Sequence, residues 1–308
     1  MSCQHPLVGI QSLCDLFGYS RQSWYEAHKR NDKSTVETEA IVAQVQLIRE
    51  HHHKVGAEKL YFQLKDWLEL KGIKIGRDKF MNILRDNGLM IQRKSRKATT
   101  TCSRHNFRLY PNLLKEKEVT KPNQVWVSDI TYLTLTSGFV YLSLITDAYS
   151  RKIVGWSVHE SLQTHGPLEA LAKAIEGLNG KGEIDLIHHS DRGVQYCSKE
   201  YTKRLKNKGI RISMTEQYDP YENAMAERVN RTLKEEFSLG RTFFSSDHAK
   251  RETGKAIRYY NSNRPHASCD YLTPNQAHQR SGPMKMKWKS RKTERNGKVQ
   301  KATDAVLV

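Results

Sequence analysis

Apolar residues recur at helical spacing through the first ninety residues of the chain. Positions three or four apart form three stripes, namely Ile41, Val45 and Ile48, then Leu60, Leu64 and Leu68, and then Phe80, Ile83 and Leu84. This spacing puts the apolar side chains on one face of a helix, and that face must be covered by another element. The pattern predicts three helices that close one small core.

Two shorter helices are predicted before this block. An apolar run is broken at Gly18, and Ser20 is a candidate N-cap for a second short helix with the sequence RQSWYEAH. The outline is that of a helix-turn-helix, although a plain helical hairpin fits it equally well. Arg21 in this segment and Arg77 in the third stripe's helix are candidate DNA contacts, with a solvated charged face as the alternative for each.

The pattern changes to that of strands after residue 124. Three runs of β-branched and aromatic residues lie at 125–135, 139–146 and 152–158, and a Thr-Ser-Gly hairpin signal joins the first two. Helical and strand patterns then alternate, at 167–178, 184–189, 199–208, 210–214 and from about 221 onward. We predict an α/β fold with three antiparallel strands, two further strands that run parallel and flanking helices, preceded by all-α helix-turn-helix regions.

The composition favours a polyanionic partner. Fifty-one Lys or Arg against 33 Asp or Glu give the 308 residues a formal net charge of +18, which favours nucleic acid over a neutral metabolite. No apolar run approaches the roughly 18 residues of a membrane-spanning helix, and the first residues lack a signal-peptide pattern. We therefore expect a cytoplasmic protein without membrane contact. The 5 cysteines are scattered without a CxxC pair, which argues against a disulfide framework.

Two basic stretches mark the predicted domain boundaries. Residues 91–108 hold six Lys or Arg and no acid, and the stretch from 283 is also basic. Such stretches are typical of linkers that lie along phosphates and of disordered tails. The predicted divisions are a helix-turn-helix-like segment at 1–35, a helical DNA-binding domain at 36–90, a basic linker at 91–120, an α/β core at 121–282 and a tail at 283–308.

One acidic residue interrupts the first strand. In the run VWVSDITYL, alternation puts Asp129 on the same face as Val125 and Val127. A carboxylate among apolar neighbours is costly unless it is paired or binds a metal. A salt bridge to one of the many Lys or Arg residues is the alternative interpretation.

Two further acids stand at the ends of predicted elements. Asp191 follows an apolar strand, at the edge where open α/β sheets place ligands, although an Asp-Arg-Gly turn is also ordinary loop chemistry. Glu227 shares a helix face with Asn223, Lys234 and Arg231, which are candidate DNA contacts beside a metal ligand, and a solvated charged face is again the alternative. Two alternative acids fall a turn or more beyond this polar cluster, Glu235 and Glu236.

Three such carboxylates suit one kind of chemistry. A pair of divalent ions clamps the attacking and leaving oxygens of a displacement at phosphorus, and Mg²⁺ and Mn²⁺ prefer oxygen ligands. We therefore expect two Mg²⁺ or Mn²⁺ ions at the site. Without metals the acids repel one another, so the empty site is expected to be poorly ordered or partly protonated.

The spacing of the acids and the words around them resemble a known family. Sixty-one residues separate Asp129 from Asp191, 35 separate Asp191 from Glu227, and Lys234 lies seven residues beyond. This arrangement resembles that of retroviral integrases and insertion-sequence transposases. Five segments, PNQVWVSDITYL, DAYSRKIVGW, HSDRGVQY, YENAMAERVNRTLKEE and YYNSNRPH, resemble the second-reading-frame (OrfB) transposases of the two-frame IS-three-like family. The resemblance covers the chain as far as about residue 282.

The resemblance implies an RNase H-like integrase core and a DDE-type enzyme. Such an enzyme cuts DNA at insertion-sequence ends and joins the freed 3′-hydroxyl to a target. Asp129, Asp191 and Glu227 are then the metal ligands, and Lys234 contacts transposon-end DNA. The implied partners are the terminal repeats, target DNA and the first-frame (OrfA) protein or its fusion, and we expect a homo-oligomer on DNA. TEQYDPYEN at 215–223 replaces the Gly-rich, Trp-containing segment of many relatives, so the DNA contact of this loop is left open.

Two other functions fit parts of the pattern. A non-catalytic DNA-binding regulator would need no metal, and a related metal nuclease would cut without joining. The run of His51, His52 and His53 lacks a Cys pair at zinc-ligand spacing, and His188 and His189 are expected to be satisfied or solvent-facing imidazoles that could tune Asp191. The sequence has no Gly-rich phosphate loop or nucleophile elbow, which argues against an ATPase or a hydrolase.

Overall fold

The computed structural model describes residues 9–91, 108–114, 117–178, 185–216 and 223–284. The chain forms two compact units, one of residues 1–50 and 64–90 and the other of residues 51–63 and 91–308. Most of the predicted basic linker, the loop at 217–222 and the tail from 285 lie outside the described residues. None of the described helices is long and apolar enough to cross a membrane.

Four helices precede the sheet: α1 (Ile10–Phe17), α2 (Arg21–His51), α3 (Ala57–Leu70) and α4 (Arg77–Asp86). The predicted cap is confirmed, because the Ser20 hydroxyl accepts a hydrogen bond from the Ser23 N–H at 3.0 Å. The predicted second short helix is wrong. Helix α2 is 31 residues long, since no Gly or Pro interrupts it. It crosses the predicted boundary between residues 35 and 36, so the two N-terminal segments share a helix, and the predicted division itself stays a prediction.

The predicted apolar stripes supply the core of the first unit. Buried side chains from α2, α3 and α4 include Ile41, Val45, Leu64, Leu68, Phe80 and Leu84, and Cys14 of α1 is buried as well. Leu60 of the second stripe is also buried but belongs to the second unit. Ile48 and Ile83 are half-buried. The Arg49 guanidinium donates to the Leu89 carbonyl at 2.6 Å, which ties the end of α2 to the segment after α4. The prediction of a small helical core is confirmed by this burial.

The second unit contains a five-stranded sheet of order β3-β2-β1-β4-β5. The strands are β1 (Val125–Leu135), β2 (Gly138–Asp147), β3 (Ile153–His159), β4 (Ile187–Ser190) and β5 (Arg211–Met214). β2 is antiparallel to both β1 and β3, whereas β4 is parallel to both β1 and β5. Each predicted strand exists within a few residues of its expected bounds, and the predicted change from antiparallel to parallel pairing is confirmed.

Helices cover both faces of this sheet. They are α5 (His165–Glu176), α6 (Val194–Cys197), α7 (Lys199–Lys206), α8 (Ala224–Glu236), α9 (Ser246–Asn263) and α10 (Pro274–Ala277). Side chains of β1 point alternately to the two faces of the sheet, and each face is covered by a different layer of helices. Trp126 packs with α5 and α7 on one face, and Leu133 packs with α8 and α9 on the other. Gly155 of β3 permits the close approach of α5, because a Cβ there would lie 2.1 Å from the Ala170 carbonyl oxygen.

The segment DAYSRK forms the turn from β2 to β3. The buried Asp147 carboxylate accepts hydrogen bonds from Ser150 N–H at 2.8 Å, Ser150 O–H at 2.7 Å and Asn123 N–H at 2.7 Å. Burial acts to raise the pKa of Asp147, but the neighbouring His278 and the hydrogen bonds from Ser150 and Asn123 outweigh it and leave the pKa lowered. This acid is therefore a structural anchor for the turn.

Candidate active site

Strand register places two of the predicted acids side by side. Ser128 of β1 pairs with Ser190 of β4, and the two strands are parallel. Asp129 is the next residue of β1, and Asp191 is the first residue after β4. Neighbouring strands lie about 4.8 Å apart, so both acids stand at the point where β4 ends and β1 continues with β2 as its only paired strand among the described residues.

Helix α8 brings the third acid to the same place. Ala226 of α8 packs with Val125 and Val127 on the face of β1 that also carries Asp129. One turn further along α8, the Asn230 amide donates to Asp129 Oδ2 at 2.8 Å. Glu227 lies in the first turn of α8 and is exposed, so it is not packed into the core.

The other two predicted acids act electrostatically on Asp129. The pKa of Asp129 is raised to about 7, first by burial and then by the negative charges of Asp191 and Glu227, against a hydrogen bond from Asn230 that lowers it. A carboxyl group with this pKa is partly protonated at neutral pH, as predicted for acids that share a site without metals. The charges that raise the pKa are those that a divalent cation would neutralise.

The acids share a neighbourhood without forming a closed cage. Among the described residues, no three His, Cys, Asp or Glu side chains are close enough together to hold one metal ion. Metal binding by Asp129, Asp191 and Glu227 stays a prediction.

Buried hydroxyl–imidazole pairs support the strands beneath the acids. His188 Nε2 lies 2.7 Å from Ser128 Oγ and 2.9 Å from Tyr201 Oη, and His189 Nδ1 lies 2.8 Å from Ser213 Oγ. Burial lowers the pKa of His188 to about 3, so this imidazole is neutral at physiological pH. Both histidines are buried. The solvent-facing alternative is wrong for both residues, because β4 is covered on both faces.

Tyr196 is a neighbour of the carboxylates that the sequence patterns did not predict. Its buried hydroxyl has no hydrogen-bond partner among the described residues. Burial raises its pKa well above the usual value, and the charges of Tyr201, Asp129 and Asp191 add to this effect.

The Gly193 N–H donates to Asp191 Oδ1 at 3.0 Å, and a Cβ on Gly193 would lie 3.0 Å from the same oxygen. The segment HSDRGVQY thus holds Asp191 in a tight turn, with the tyrosine beneath it.

The predicted DNA contacts differ in exposure. Arg231 is exposed on α8, and Lys234 is half-buried with its ammonium 4.3 Å from the centre of the Tyr132 ring. Asn223 is only 6% exposed and donates to the Ser128 carbonyl at 3.3 Å. This hydrogen bond holds the start of α8 against β1. The burial of Asn223 therefore argues against a direct contact between this side chain and DNA.

The two arginines of the first unit are exposed. The Arg21 guanidinium lies 5.7 Å from the centre of the Tyr25 ring. Arg77 forms an exposed ion pair with Asp78 at 3.3 Å. Both side chains are accessible, and a DNA contact by either one stays a prediction.

Glu236 is the residue whose role sequence reasoning missed most clearly. Its carboxylate accepts from both Arg264 Nε and Arg264 Nη2 at 2.7 Å, from His52 Nε2 at 2.8 Å and from Lys59 Nζ at 2.6 Å. We call these four side chains the Glu236 cluster. Burial acts to raise the pKa of Glu236, but its partners, led by Arg264, lower it far below the usual range. This acid is a structural anchor of α8 and is not available as a metal ligand.

The Glu236 cluster also explains a difference from the predicted domains. Residues 51–63, which the sequence analysis assigned to the helical domain at 36–90, belong to the second unit. Phe62 stacks on Tyr271 with ring centres 3.8 Å apart, and the Lys54 N–H donates to the Glu236 carbonyl at 3.1 Å. This segment is therefore an integral part of the unit that carries the acids.

Comparison with known proteins identifies the family. An integrase core domain family matches residues 119–220, and a second family of the same description matches residues 208–274. An uncharacterized 31 kDa protein of insertion element IS600 from Shigella sonnei is 32% identical, in a match that covers 85% of this chain and 96% of that protein. A transposase for insertion sequence element IS904 from Lactococcus lactis is 31% identical over 80% of this chain and 96% of that protein.

Among solved structures, the integrase catalytic core domain of HTLV-2 in complex with magnesium is similar. The two chains are 20% identical, and the match covers 52% of this chain and 98% of the HTLV-2 integrase chain, with a TM-score of 0.41. The relatives share their similarity over nearly their whole length, and the matched domain coincides with the unit that contains the paired acids. The chain therefore belongs to the insertion-sequence transposases, DDE-type enzymes whose integrase core has the RNase H-like fold.

Proposed function

We propose that this transposase cuts phosphodiester bonds at the ends of an insertion sequence and joins the freed 3′-hydroxyl to target DNA. Asp129, Asp191 and Glu227 are the metal ligands in this proposal, and two Mg²⁺ ions are the preferred occupants. Bound there, divalent ions supply Lewis-acid activation of the phosphodiester and stabilise the attacking and leaving oxygens. No covalent enzyme intermediate is needed.

The observation that carries the proposal is the strand register. It sets Asp129 and Asp191 next to each other at the open end of β4, and the charge of Asp191 raises the pKa of Asp129. Oxygen ligands with unfavourable mutual repulsion fit a hard divalent cation, which removes that repulsion on binding. Glu227 is exposed in the first turn of α8 and has room to complete the ligand set.

Other residues of the chain orient these ligands. The Asn230 amide holds Asp129 Oδ2, and the Gly193 N–H holds Asp191 Oδ1. Hydrogen bonds of this kind fix the plane of a ligating carboxylate. The buried Ser128–His188 hydrogen bond links β1 and β4 directly before the two acids. The protein thus contributes the position and orientation of its acids.

DNA is the partner that the charge distribution favours. Arg231 is exposed on the helix that carries Glu227, and Lys234 presents its ammonium one turn further on, so both can bind phosphates next to the bond that is cut. Terminal repeats, target DNA and the first-frame protein are the proposed macromolecular partners, and a homo-oligomer on DNA is the proposed active form.

Lys234→Ala should weaken DNA binding and make it less sensitive to salt. Loss of one phosphate contact reduces the slope of log affinity against log salt concentration by about 0.9. Fluorescence anisotropy with a labelled duplex at several salt concentrations measures this slope. Lys203→Ala, on an exposed position of α7, is the matched control and should keep the wild-type slope. An unchanged slope for Lys234→Ala would rule out the phosphate contact.

The function is tested with the full chain, the first-frame protein and the DNA that flanks the coding region. A labelled flanking fragment and a supercoiled target plasmid are incubated with Mg²⁺ or with EDTA. We expect nicked ends and joined molecules, in Mg²⁺ only. Nicks without joining would identify a metal nuclease. Specific binding without any cleavage would identify a regulator. Either result would overturn the proposal.

A further inference from the structure

An exposed aromatic pair lies on the β1–β2 hairpin, three residues from Asp129. Tyr132 and Phe139 are each 55% exposed, and their ring centres are 5.4 Å apart with the planes at 82°. Thr134 pairs with Phe139, so the two rings occupy diagonal positions on one face of neighbouring strands. Single exposed apolar residues are common on protein surfaces, whereas two aromatic rings in contact form a defined patch.

Lys234 adds a cation to this aromatic patch. Its ammonium lies 4.3 Å from the centre of the Tyr132 ring, well inside the roughly 6 Å range of a cation–π interaction. The negative charge of Asp129 also acts on Lys234. One ammonium is therefore close both to the aromatic patch and to a carboxylate of the active site.

The edge of β1 beside the patch is open. β4 pairs with β1 only as far as Ser128, and the Phe243 N–H donates to the Thr134 carbonyl at 2.9 Å. Over the part of the chain that the structure describes, no strand pairs with the intervening edge. Tyr132 is about 10 Å from Asp129 along the strand, which equals about three base steps of B-DNA, and alternation puts the two side chains on opposite faces of β1. Lys234 of α8, which lies on the Asp129 face, reaches the Tyr132 ring, so the two faces communicate at the open edge.

We propose that Tyr132 and Phe139, with Lys234, form a platform that stacks an unpaired DNA base within about three nucleotides of the bond that is cut. This inference rests on the proposed function. A nucleotide combines a flat apolar base with a phosphate, and the platform offers aromatic rings together with an ammonium. Base–aromatic stacking tolerates any sequence, so the platform recognises an unpaired base without reading which base it is.

The test measures DNA binding without cleavage, in EDTA. One probe is a 20-base-pair duplex with a three-nucleotide single-stranded extension that contains 2-aminopurine, and the other is the same duplex with a blunt end. We expect the full chain to quench 2-aminopurine fluorescence on binding. Tyr132→Leu should abolish the quenching and weaken binding of the extended probe by about 5- to 150-fold, the range that a stacked base supplies. Its affinity for the blunt probe should stay at the wild-type value.

Two control variants test whether the quenching arises from stacking on the Tyr132 ring. Tyr132→Phe retains the ring and should retain the quenching. Phe244→Leu removes a phenylalanine that is 81% exposed and stacks on His248, and it should behave like the wild type. Equal losses of Tyr132→Leu on both probes, or retained quenching, would overturn the platform. A change in oligomeric state with unchanged DNA binding would instead assign the patch to a second copy of the chain, and would also overturn it.

The outcome is independent of the test of the proposed function. Cleavage and joining are assayed separately in Mg²⁺, with Asp129→Asn as the inactive reference. A chain that cleaves and joins DNA but shows no quenching refutes the platform alone. A chain that shows quenching but no cleavage refutes the proposed function and leaves the stacking site as a property of DNA binding.

Discussion

Asp129→Asn should abolish DNA cleavage and joining, by on the order of 10³-fold or more, and should leave the folded protein at least as stable as the wild type in metal-free buffer. The two effects have one cause. The substitution removes a half-buried negative charge that is repelled by Asp191 and Glu227, and that charge is useful only when a cation is present. The Asn230 amide can still donate to the oxygen of the new side chain, so the local geometry is retained.

The measurement needs two readouts. Cleavage is followed with labelled DNA in Mg²⁺, and thermal unfolding is followed with and without added Mg²⁺. Binding of an ion to the folded state alone raises the unfolding temperature, so the wild type should gain stability from Mg²⁺ and Asp129→Asn should gain much less. Glu235→Gln, at an exposed position of the same helix as Glu227, is the matched control and should behave like the wild type. Equal stabilisation of both proteins by Mg²⁺ would place the metal elsewhere.

Arg264→Leu should lower the free energy of unfolding by about 3 kcal/mol. The Arg264 side chain is 7% exposed and that of Glu236 is 17% exposed, so removal of the guanidinium leaves a buried carboxylate with only His52 and Lys59 as partners. Loss of one partner of a buried pair is far more costly than loss of a surface pair. Urea unfolding followed by tryptophan fluorescence measures the difference, because Trp126 of the same unit is fully buried.

An exposed pair provides the control for this prediction. Lys255 binds Glu252 at 2.9 Å, with side-chain exposures of 67% and 27%. Lys255→Leu should change the free energy of unfolding by less than about 1 kcal/mol. A loss of similar size in both variants would mean that burial does not govern the Glu236 cluster.

The same cluster predicts a pH dependence. The folded-state pKa of Glu236 is depressed, so its contribution to stability is fully present above the unfolded pKa, about 4.3, and is lost as the pH falls toward the folded pKa. The groups that face it are His52, Lys59 and Arg264, with His266 beside Arg264. The stability difference between the wild type and Glu236→Gln should therefore be constant above about pH 5 and shrink below about pH 4. A constant difference down to pH 2 would contradict the assignment.

The sequence by itself determined the main elements of the second unit and their order. Alternation in β1 correctly put Val125 and Val127 on one face and Trp126 on the other, because side-chain direction in a strand depends only on position along the strand. The positions of Asp129 in mid-strand and Asp191 after a strand followed from the same local patterns. Local patterns therefore predicted an α/β fold and three candidate acids, whereas the RNase H-like core and the metal-ligand role of the acids were implied by the family resemblance.

Contacts between distant segments were decided only by the tertiary structure. His52 and Glu236 are 184 residues apart, and no periodicity links them, so Glu236 could be named only as an alternative acid. Burial of Asn223 and of both histidines beside Asp191 depends on which elements cover β1 and β4. The aromatic patch at Tyr132 and Phe139 depends on strand register. Local patterns arise from the geometry of one helix or strand, whereas burial and ion pairing arise from what other segments bring into contact, and only the folded chain specifies that.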